Sequence, residues 1–281
     1  MEKKIDLSFN SNPKETAYFI GFFWADGCIN SKKYLVTEII EDDGKYLLDI
    51  FNKVADFKVS YRNRKNRKPQ MLFFLKDKTA CEKLIELGKY PGTVESHSKV
   101  IDFVPEAYRI YFLRGLIDGD GCFYSGPANH KWTNNTVHFT IGSRYEQDWS
   151  GLITYCSNIG FNLTPIKRIH KNGQQKSSIV RSSNFHDIES FINKLYEESD
   201  NIWLERKHSK IKNAILEHKS HIQESNDRRK KYEITLENGE VKITNNLKEF
   251  CLKNGMCYEC ANRAANKNGR YKNFIIKKIM F

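Results

Sequence analysis

Large apolar residues recur at helical spacing in two stretches of this chain, residues 13–25 and 106–119. Pro13 suits a first helical turn, and a glycine that suits a helix end follows each stretch, at Gly27 and Gly121. After each predicted helix come two strand-like runs, a second helix, two more strands and a third helix. This order occurs twice, so the pattern predicts a duplicated α+β unit with pseudo-two-fold symmetry rather than a solenoid.

The alternation of apolar and polar residues is clearest at 57–61, where it predicts a half-buried strand with a basic outer face. An Asn172-Gly173 pair predicts the turn of a second hairpin. For the first half, the predicted helices are 13–25, 42–55 and 79–87 and the predicted strands are 28–30, 34–40, 57–61 and 71–75. For the second half, the helices are 106–119, 147–158, 185–196 and 203–218 and the strands are 122–124, 136–141, 163–170 and 176–181.

The chain is predicted to contain two repeats and a small C-terminal module. The repeats are assigned to residues 1–104 and 105–218, and the polar, non-periodic residues 219–231 are predicted to be a linker. In residues 232–281, a hairpin precedes two short helices, 247–253 and 258–266, and a final strand follows. Two short helices joined by a glycine-containing turn predict a helix-turn-helix.

Two nine-residue stretches align in the same register, LRGLIDGDG at 113–121 and FIGFFWADG at 19–27. The alignment places Gly115 opposite Gly21. A glycine inside a helix costs about 1 kcal/mol relative to alanine. Because both helices carry one at the same position, we expect Gly21 and Gly115 to form a close helix–helix interface.

The same alignment places Asp120 opposite Asp26, at the ends of the two helices. The C-terminal end of a helix carries partial negative charge, which favours a cation. Two carboxylates there predict a site for a hard divalent ion, completed by water and a substrate phosphate. Asp118 is predicted to lie on the helix surface, because its counterpart is Trp24 and the position does not demand charge.

The net charge of +12 and the pI of about 9.2 favour a polyanionic partner, with nucleic acid ahead of an anionic membrane surface. Residues 201–281 carry +9 of this charge. No run of 18 apolar residues occurs, and the N-terminal residues do not resemble a signal peptide. Seven scattered cysteines indicate reduced thiols, so a cytosolic location is expected.

Basic residues on the predicted strands and turns are candidates for contacts with duplex DNA, because a sheet with basic alternation can lie along the major groove. The turn from Arg62 to Lys68 is expected to reach phosphates or bases. The candidate DNA contacts of the two repeats are Lys58, Arg62, Arg64, Lys65, Arg67, Lys167, Arg168, His170 and Lys176.

The two motifs resemble those of the LAGLIDADG homing endonucleases, in the single-chain form with two motifs. The resemblance covers residues 10–215, and the first motif departs from the family by its bulky aromatic residues. It implies αββαββα repeats, a saddle of antiparallel sheets over DNA, and Asp26 and Asp120 as metal ligands. The implied cofactor is Mg²⁺, with Mn²⁺ able to substitute. The implied catalytic lysines are Lys99 and Lys207, for which a solvated or phosphate-contacting role is the alternative.

Residues 232–281 resemble the helix-turn-helix modules appended to phage homing endonucleases, which implies DNA contacts by Asn262, Arg263 and Lys267. Zinc binding by Cys257-x-x-Cys260 is not expected, because a fourth ligand is missing and cysteines also suit a small helical core.

The leading hypothesis is a monomeric, site-specific double-strand DNA endonuclease that promotes mobility of its own intron or gene. One alternative is an RNA-binding maturase that assists intron splicing on the same scaffold. Another is a non-catalytic DNA-binding regulator that uses the C-terminal helices.

Overall fold

The structure is a computed structural model that describes residues 2–90, 93–94, 97–129, 132–143, 147–169, 176–197, 200–227 and 231–279. The backbone alone is described at 93–94, 125–129, 132–136, 167–169, 176, 221 and 224–227. The chain divides into two compact units, Met1–His218 and Lys219–Phe281. Each unit has a hydrophobic core of its own.

The first repeat of the larger unit has the predicted order of elements. They are α1 (Pro13–Asp26), β1 (Gly27–Ile29), β2 (Tyr34–Ile40), α2 (Glu41–Val54), β3 (Lys58–Arg62), β4 (Gln70–Lys76) and α3 (Lys78–Glu86). The helix α3 begins where the Asp77 side chain accepts a hydrogen bond from the backbone nitrogen of Ala80, which satisfies a free N–H of the first turn. Three elements that the pattern did not predict follow, β5 (Lys89–Tyr90), β6 (Thr93–Val94) and α4 (Ser98–Phe103).

The second repeat begins with a 3₁₀ turn at Glu106–Tyr108 and has the same order. Its elements are α5 (Arg109–Asp120), β7 (Gly121–Asn129), β8 (Trp132–Ser143), α6 (Ser150–Asn158), β9 (Thr164–Ile169), β10 (Lys176–Ser182), α7 (Phe185–Leu195) and α8 (Glu205–Asp227). The predicted turn at Asn172-Gly173 lies outside the described residues. The α+β class and the repeated order are thus confirmed.

Both repeats contain a four-stranded antiparallel sheet with the same topology, β1-β2-β4-β3 in the first and β7-β8-β10-β9 in the second. On β2 every second residue is buried, because one face of the sheet packs on helices. The opposite, outer face of each sheet is open to solvent at several positions. A sheet with one covered face and one wet face is what antiparallel strands allow.

The helices α1 and α5 pack together in the centre of the larger unit. Nine consecutive residues of α1, Thr16–Trp24, are buried, as are eight of α5, Tyr111–Asp118. A helix that is buried around its whole circumference belongs to a core, and its sequence need not be amphipathic. Both helices end at the same side of the unit, so the chain brings Asp26 and Asp120 to one region.

The C-terminal unit contains a four-stranded antiparallel sheet of order β12-β11-β14-β13, with two helices against it. Its elements are β11 (Lys231–Thr235), β12 (Val241–Thr244), α9 (Leu247–Lys253), α10 (Tyr258–Asn266), β13 (Arg270–Tyr271) and β14 (Phe274–Ile279). A turn with Gly255 at φ +58° joins α9 and α10, which suits glycine. Cys251 is buried in this core, whereas Cys257 is exposed and Cys260 is partly buried.

The predicted linker at 219–231 is partly helical, because α8 continues to Asp227. The polar composition of residues 219–227 concealed this, since a helix that is polar on all sides lacks the apolar period that sequence analysis detects. Among the described residues, no helix combines the length and apolarity that a bilayer span requires.

Candidate functional site

Gly21 and Gly115 form the close contact between α1 and α5. A Cβ at Gly21 would overlap the carbonyl oxygen of Phe112 and lie 2.9 Å from the backbone nitrogen of Leu116. A Cβ at Gly115 would overlap the carbonyl oxygen of Tyr18 and lie 2.7 Å from the backbone nitrogen of Phe22. Each glycine thus faces the backbone of the other helix. The expected helix interface is present and reciprocal.

Asp26 and Asp120 lie where α1 and α5 end. A Cβ at Gly119 of α5 would lie 3.5 Å from Oδ2 of Asp26, so this carboxylate of the first repeat lies over the last turn of the second repeat's helix. Both aspartate residues are accessible to solvent, but neighbouring protein atoms remove much of the water around their carboxylates. This partial burial raises the pKa of Asp26, and burial followed by the negative charge of Asp26 raises the pKa of Asp120 to about 6.

Asp118 is buried, which corrects the expectation that it lies on the helix surface. Its Oδ2 accepts hydrogen bonds from the Tyr18 hydroxyl at 2.8 Å and from the backbone nitrogen of Leu204 at 2.6 Å. Burial raises the pKa of Asp118 to about 7. Its counterpart Trp24 is buried too, so both positions face the interior. Asp118 joins α1 and α5 to the segment that leads into α8.

Two buried or partly buried lysines, Lys89 and Lys207, lie at the carboxylates. Lys89 donates a hydrogen bond to the carbonyl oxygen of Trp24 at 2.8 Å, and burial lowers its pKa to about 8, against the opposing effect of Asp120. Lys207 donates to three carbonyl oxygens of the second motif, and burial lowers its pKa as well, against Asp118 and Asp26. Each lysine therefore interacts with the aspartate of the other repeat.

Lys99, the lysine proposed for the first repeat, is exposed on α4. The structure places Lys89 beside the carboxylates instead. Lys89 follows Gly88, which has φ +107° and turns the chain back after α3. Sequence analysis did not identify Lys89, because Lys89 and Lys207 do not occupy equivalent positions in the two repeats. Lys89 lies three residues after the end of its α3, whereas Lys207 lies in the first turn of α8, well beyond α7.

The outer face of the first sheet carries the predicted basic strand. Lys58, Ser60 and Arg62 of β3 are exposed and Val59 is partly buried, as the pattern predicted. Tyr61, which the pattern placed on the buried face, is 62% exposed. Glu38 on β2 pairs with Arg62 at 3.3 Å and, in the turn, with Arg64 at 3.0 Å. The other candidates of this turn, Lys65 and Arg67, are exposed.

In the second sheet, the strand register separates the predicted basic residues. Arg168 pairs with Ser177 on the outer face, whereas Lys167 pairs with Ser178, which is buried on the helix side. In the backbone register, Lys176 pairs with Ile169. His170 lies outside the described residues.

Sequence analysis did not identify Arg181, a residue of β10 on the outer face. Arg181 pairs through Thr140 with Cys122, directly after the second motif, and is exposed. Tyr124 and His138 stack beside it with ring centroids 4.9 Å apart. The sequence does contain an alternation along β10, in which Ser177, Ile179 and Arg181 alternate with the buried Val180. The alternation alone does not show which set of residues faces outward, and the strand register is needed to decide it.

In the C-terminal unit, Ala261 and Ala265 of α10 face the core. Arg263 and Lys267 are exposed and Asn262 is half-buried, so none of the three predicted residues belongs to that core.

The donor set at the helix ends fits a hard divalent cation. Two accessible carboxylates repel each other, and two helix C-termini add negative potential, so a cation would relieve both. Within the part of the chain that the structure describes, no group of three or more His, Cys, Asp and Glu side chains could hold a metal. A site with two carboxylates matches ions such as Mg²⁺, which keep several waters and use substrate phosphates as ligands.

The variant Asp120→Asn is expected to melt at a higher temperature than the wild type in the absence of metal, by a margin that grows with pH. The pKa of Asp120 is about 6 in the folded protein and 3.8 in its unperturbed state. Ionised Asp120 therefore opposes folding, an effect absent below pH 4 that rises to its full size above pH 6. Thermal denaturation in EDTA from pH 4.5 to 7.5 measures the difference.

Comparing the variant with the wild type cancels the titrating groups that do not interact with Asp120, including buried His97, whose pKa burial lowers to about 3. The exposed Asp102→Asn controls for the loss of one surface carboxylate. A melting difference that stays flat across this pH range would contradict the assigned repulsion at Asp120.

No protein-family model and no curated protein matches this chain. Solved structures do resemble it. They are LAGLIDADG endonucleases. The meganuclease I-AabMI, bound to uncleaved DNA, is 14% identical with a TM-score of 0.48, and the match covers 76% of this chain and 92% of that chain. I-LtrWI, bound to target DNA, is 12% identical with a TM-score of 0.48, covering 74% and 92%. I-CpaMI, bound to uncleaved DNA, is 14% identical with a TM-score of 0.46, covering 74% and 94%.

Proposed function

We propose that this protein is a LAGLIDADG-type, divalent-metal-dependent endonuclease that cuts both strands of duplex DNA at a long, asymmetric site. The observation that carries the proposal is the pair of accessible carboxylates, Asp26 and Asp120, at the ends of two helices in backbone contact. Both come from one chain, so the protein needs no second copy to complete the site and acts as a monomer.

The reaction is hydrolysis of a phosphodiester. Water adds to phosphorus, the bond from phosphorus to the leaving oxygen breaks, the water loses a proton and the leaving oxygen gains one. Asp26 and Asp120 would hold the metal, which when bound supplies neutralisation of phosphate charge and an activated water. Lys89 and Lys207 surround these carboxylates with positive charge, which favours approach of a phosphate.

The outer faces of the two sheets are the proposed DNA-binding surface. These faces carry basic side chains, namely Lys58 and Arg62 on the first sheet and Arg181 on the second. Such contacts to phosphates fix the register of a protein on DNA, while contacts to base edges give specificity. Mobility of the gene that encodes the protein would follow from cleavage at an allele that lacks it.

The deciding experiment is incubation of the purified protein with a randomised plasmid library, with and without Mg²⁺, followed by sequencing of the ends. We expect Mg²⁺-dependent double-strand ends that share one long consensus. Cleavage without metal, or ends without a consensus, would contradict the proposal.

A chain truncated after Asp227 is expected to keep cleavage and to lose affinity, because both carboxylates and the core of Met1–His218 remain. The C-terminal unit is proposed to add DNA contacts through Arg263 and Lys267. Tethering a second binding module typically raises affinity by roughly 10²-fold or more. Fluorescence anisotropy across a salt series measures this loss, and a cooperative melt confirms folding. If a folded truncated chain lost all cleavage, the assignment of the complete cleavage site to Met1–His218 would be wrong.

A further inference from the structure

The two lysines at the carboxylates have different hydrogen-bonding states. An ammonium has three N–H donors and no acceptor. Lys207 donates to the carbonyl oxygens of Ile117 at 3.1 Å, Gly119 at 2.8 Å and Gly121 at 3.0 Å. Three acceptors occupy three donors, so Lys207 has no proton left for a phosphate or a water while these bonds persist.

Lys89 is not saturated. Within the part of the chain that the structure describes, its ammonium donates one hydrogen bond, to the carbonyl oxygen of Trp24. The Phe23 ring covers another side, with its centroid 5.5 Å from Nζ. Two donors therefore remain for a ligand at Asp26 and Asp120. The lowered pKa of Lys89 agrees with a cation that burial has stripped of water without supplying matched partners.

The residues next to Lys207 at the start of α8 make further contacts that fix its backbone. Leu204, three residues earlier, donates its backbone N–H to buried Asp118. Next to Lys207, Arg206 forms a two-pronged ion pair with Asp43 of α2, with distances of 2.7 to 3.1 Å. These contacts fix the first turn of α8 against both repeats. The carbonyl oxygens that Lys207 binds flank Asp118 and Asp120, so Lys207 fixes the backbone that carries Asp120.

We propose that Lys89 is a catalytic residue that donates hydrogen bonds to a phosphate oxygen of one DNA strand, and that Lys207 is a positioning residue that acts through Asp120. The assignment rests on the proposed endonuclease function. It gives the pseudo-symmetric site unequal halves, since a positively charged donor is available to one strand only. The strand served by Lys89 is cut first, and a nicked intermediate precedes the double-strand break.

The test compares Lys89→Met, Lys89→Arg, Lys207→Met and Lys207→Arg with Lys78→Met, an exposed lysine of α3, as the matched control. Single-turnover cleavage of a plasmid that carries the recovered site, at saturating Mg²⁺, resolves nicked from linear product. A Ca²⁺ titration of the melting temperature, without DNA, reports cation binding by itself.

We expect Lys89→Met to slow cleavage of the strand that is cut first by about 10²-fold, the size of losing one donor to a developing charge. The two strands should then be cut at similar rates, so that less nicked plasmid accumulates than with the wild type. Lys89→Arg should restore part of this rate and keep the wild-type Ca²⁺ midpoint, because it keeps the positive charge beside Asp26 and Asp120. Lys89→Met should not raise the midpoint, because it removes a positive charge that opposes cation binding. Lys207→Met should raise the Ca²⁺ midpoint by about tenfold or more, as loss of a group that orients a metal ligand does, with both strands affected alike.

If Lys207→Met loses its cooperative melt, Lys207→Arg replaces it, and its Ca²⁺ midpoint should also rise because a planar guanidinium cannot serve three carbonyls in this geometry. The inference is overturned if Lys207 variants keep the wild-type Ca²⁺ midpoint while losing cleavage, or if Lys89→Met slows both strands equally. A wild-type protein that cuts no DNA defeats the proposed function instead, and the Ca²⁺ titration then still decides the role of Lys207.

Discussion

Asp120→Asn is expected to reduce DNA cleavage by at least about 10²–10³-fold, the range seen when one charge-stabilising group is removed from an active site. The amide keeps the shape of the side chain but removes the negative charge that would hold the cation. Specific binding should remain close to wild type, because the basic groups proposed to contact DNA are elsewhere, on the outer faces of the two sheets. Asp26→Asn should act alike, since both carboxylates belong to one site.

Single-turnover cleavage in Mg²⁺ and fluorescence anisotropy in Ca²⁺ separate the two effects for Asp120→Asn. Asp102→Asn is the matched control, because Asp102 is an exposed carboxylate of α4. Cleavage by Asp120→Asn at the wild-type rate would show that the metal-ligand assignment is wrong. Equal loss of binding and cleavage would instead point to a general defect in folding, which the melting curve reveals.

Gly115→Ala is expected to destabilise the protein by about 3 kcal/mol or more, the upper range for forcing an extra methyl group into a packed interior. The added Cβ would overlap the carbonyl oxygen of Tyr18 and lie 2.7 Å from the nitrogen of Phe22. Backbone atoms of a buried helix cannot rotate away as a flexible side chain can. The gain of about 1 kcal/mol that alanine brings to a helix is therefore exceeded.

Thermal denaturation should show the loss for Gly115→Ala as a drop of about 6–12 °C for a domain of this size. Gly142→Ala is the matched control, because a Cβ there would meet only Cγ2 of Ile179, at 3.4 Å. Gly115→Ala should also lower the rate of cleavage by the molecules that remain folded, since α5 carries Asp120. A stable Gly115→Ala protein would contradict the close helix contact.

The features that could be predicted from the sequence are those that depend on local periodicity and on the internal repeat. The two helices, the alternating strands and the register of Gly21 with Gly115 follow from spacing alone, and Asp26 with Asp120 follows from that register. Asp118 was wrongly expected at the surface, because the argument compared it with Trp24 and treated an unlike residue as evidence of exposure. Tyr18 and Leu204, its hydrogen-bond partners, are 100 and 86 residues away in sequence.

Lys89 could not be found from the sequence for a related reason. Its position depends on the turn at Gly88 and on the strands β5 and β6, which have no counterpart in the second repeat. Likewise, the alternation of β10 indicates two faces but does not say which one packs on helices. The contact of Val180 with the core decides that Arg181 faces outward.

The placement of the carboxylates at the ends of the helices that join the repeats has a consequence during synthesis. A chain that has left the ribosome only through residue 104 carries Asp26 without Asp120. The second carboxylate arrives when α5 has been made and has packed its backbone on α1. On the proposed function, an unfinished or misassembled chain therefore has half a metal site, and the ability to break DNA is acquired only with the completed core.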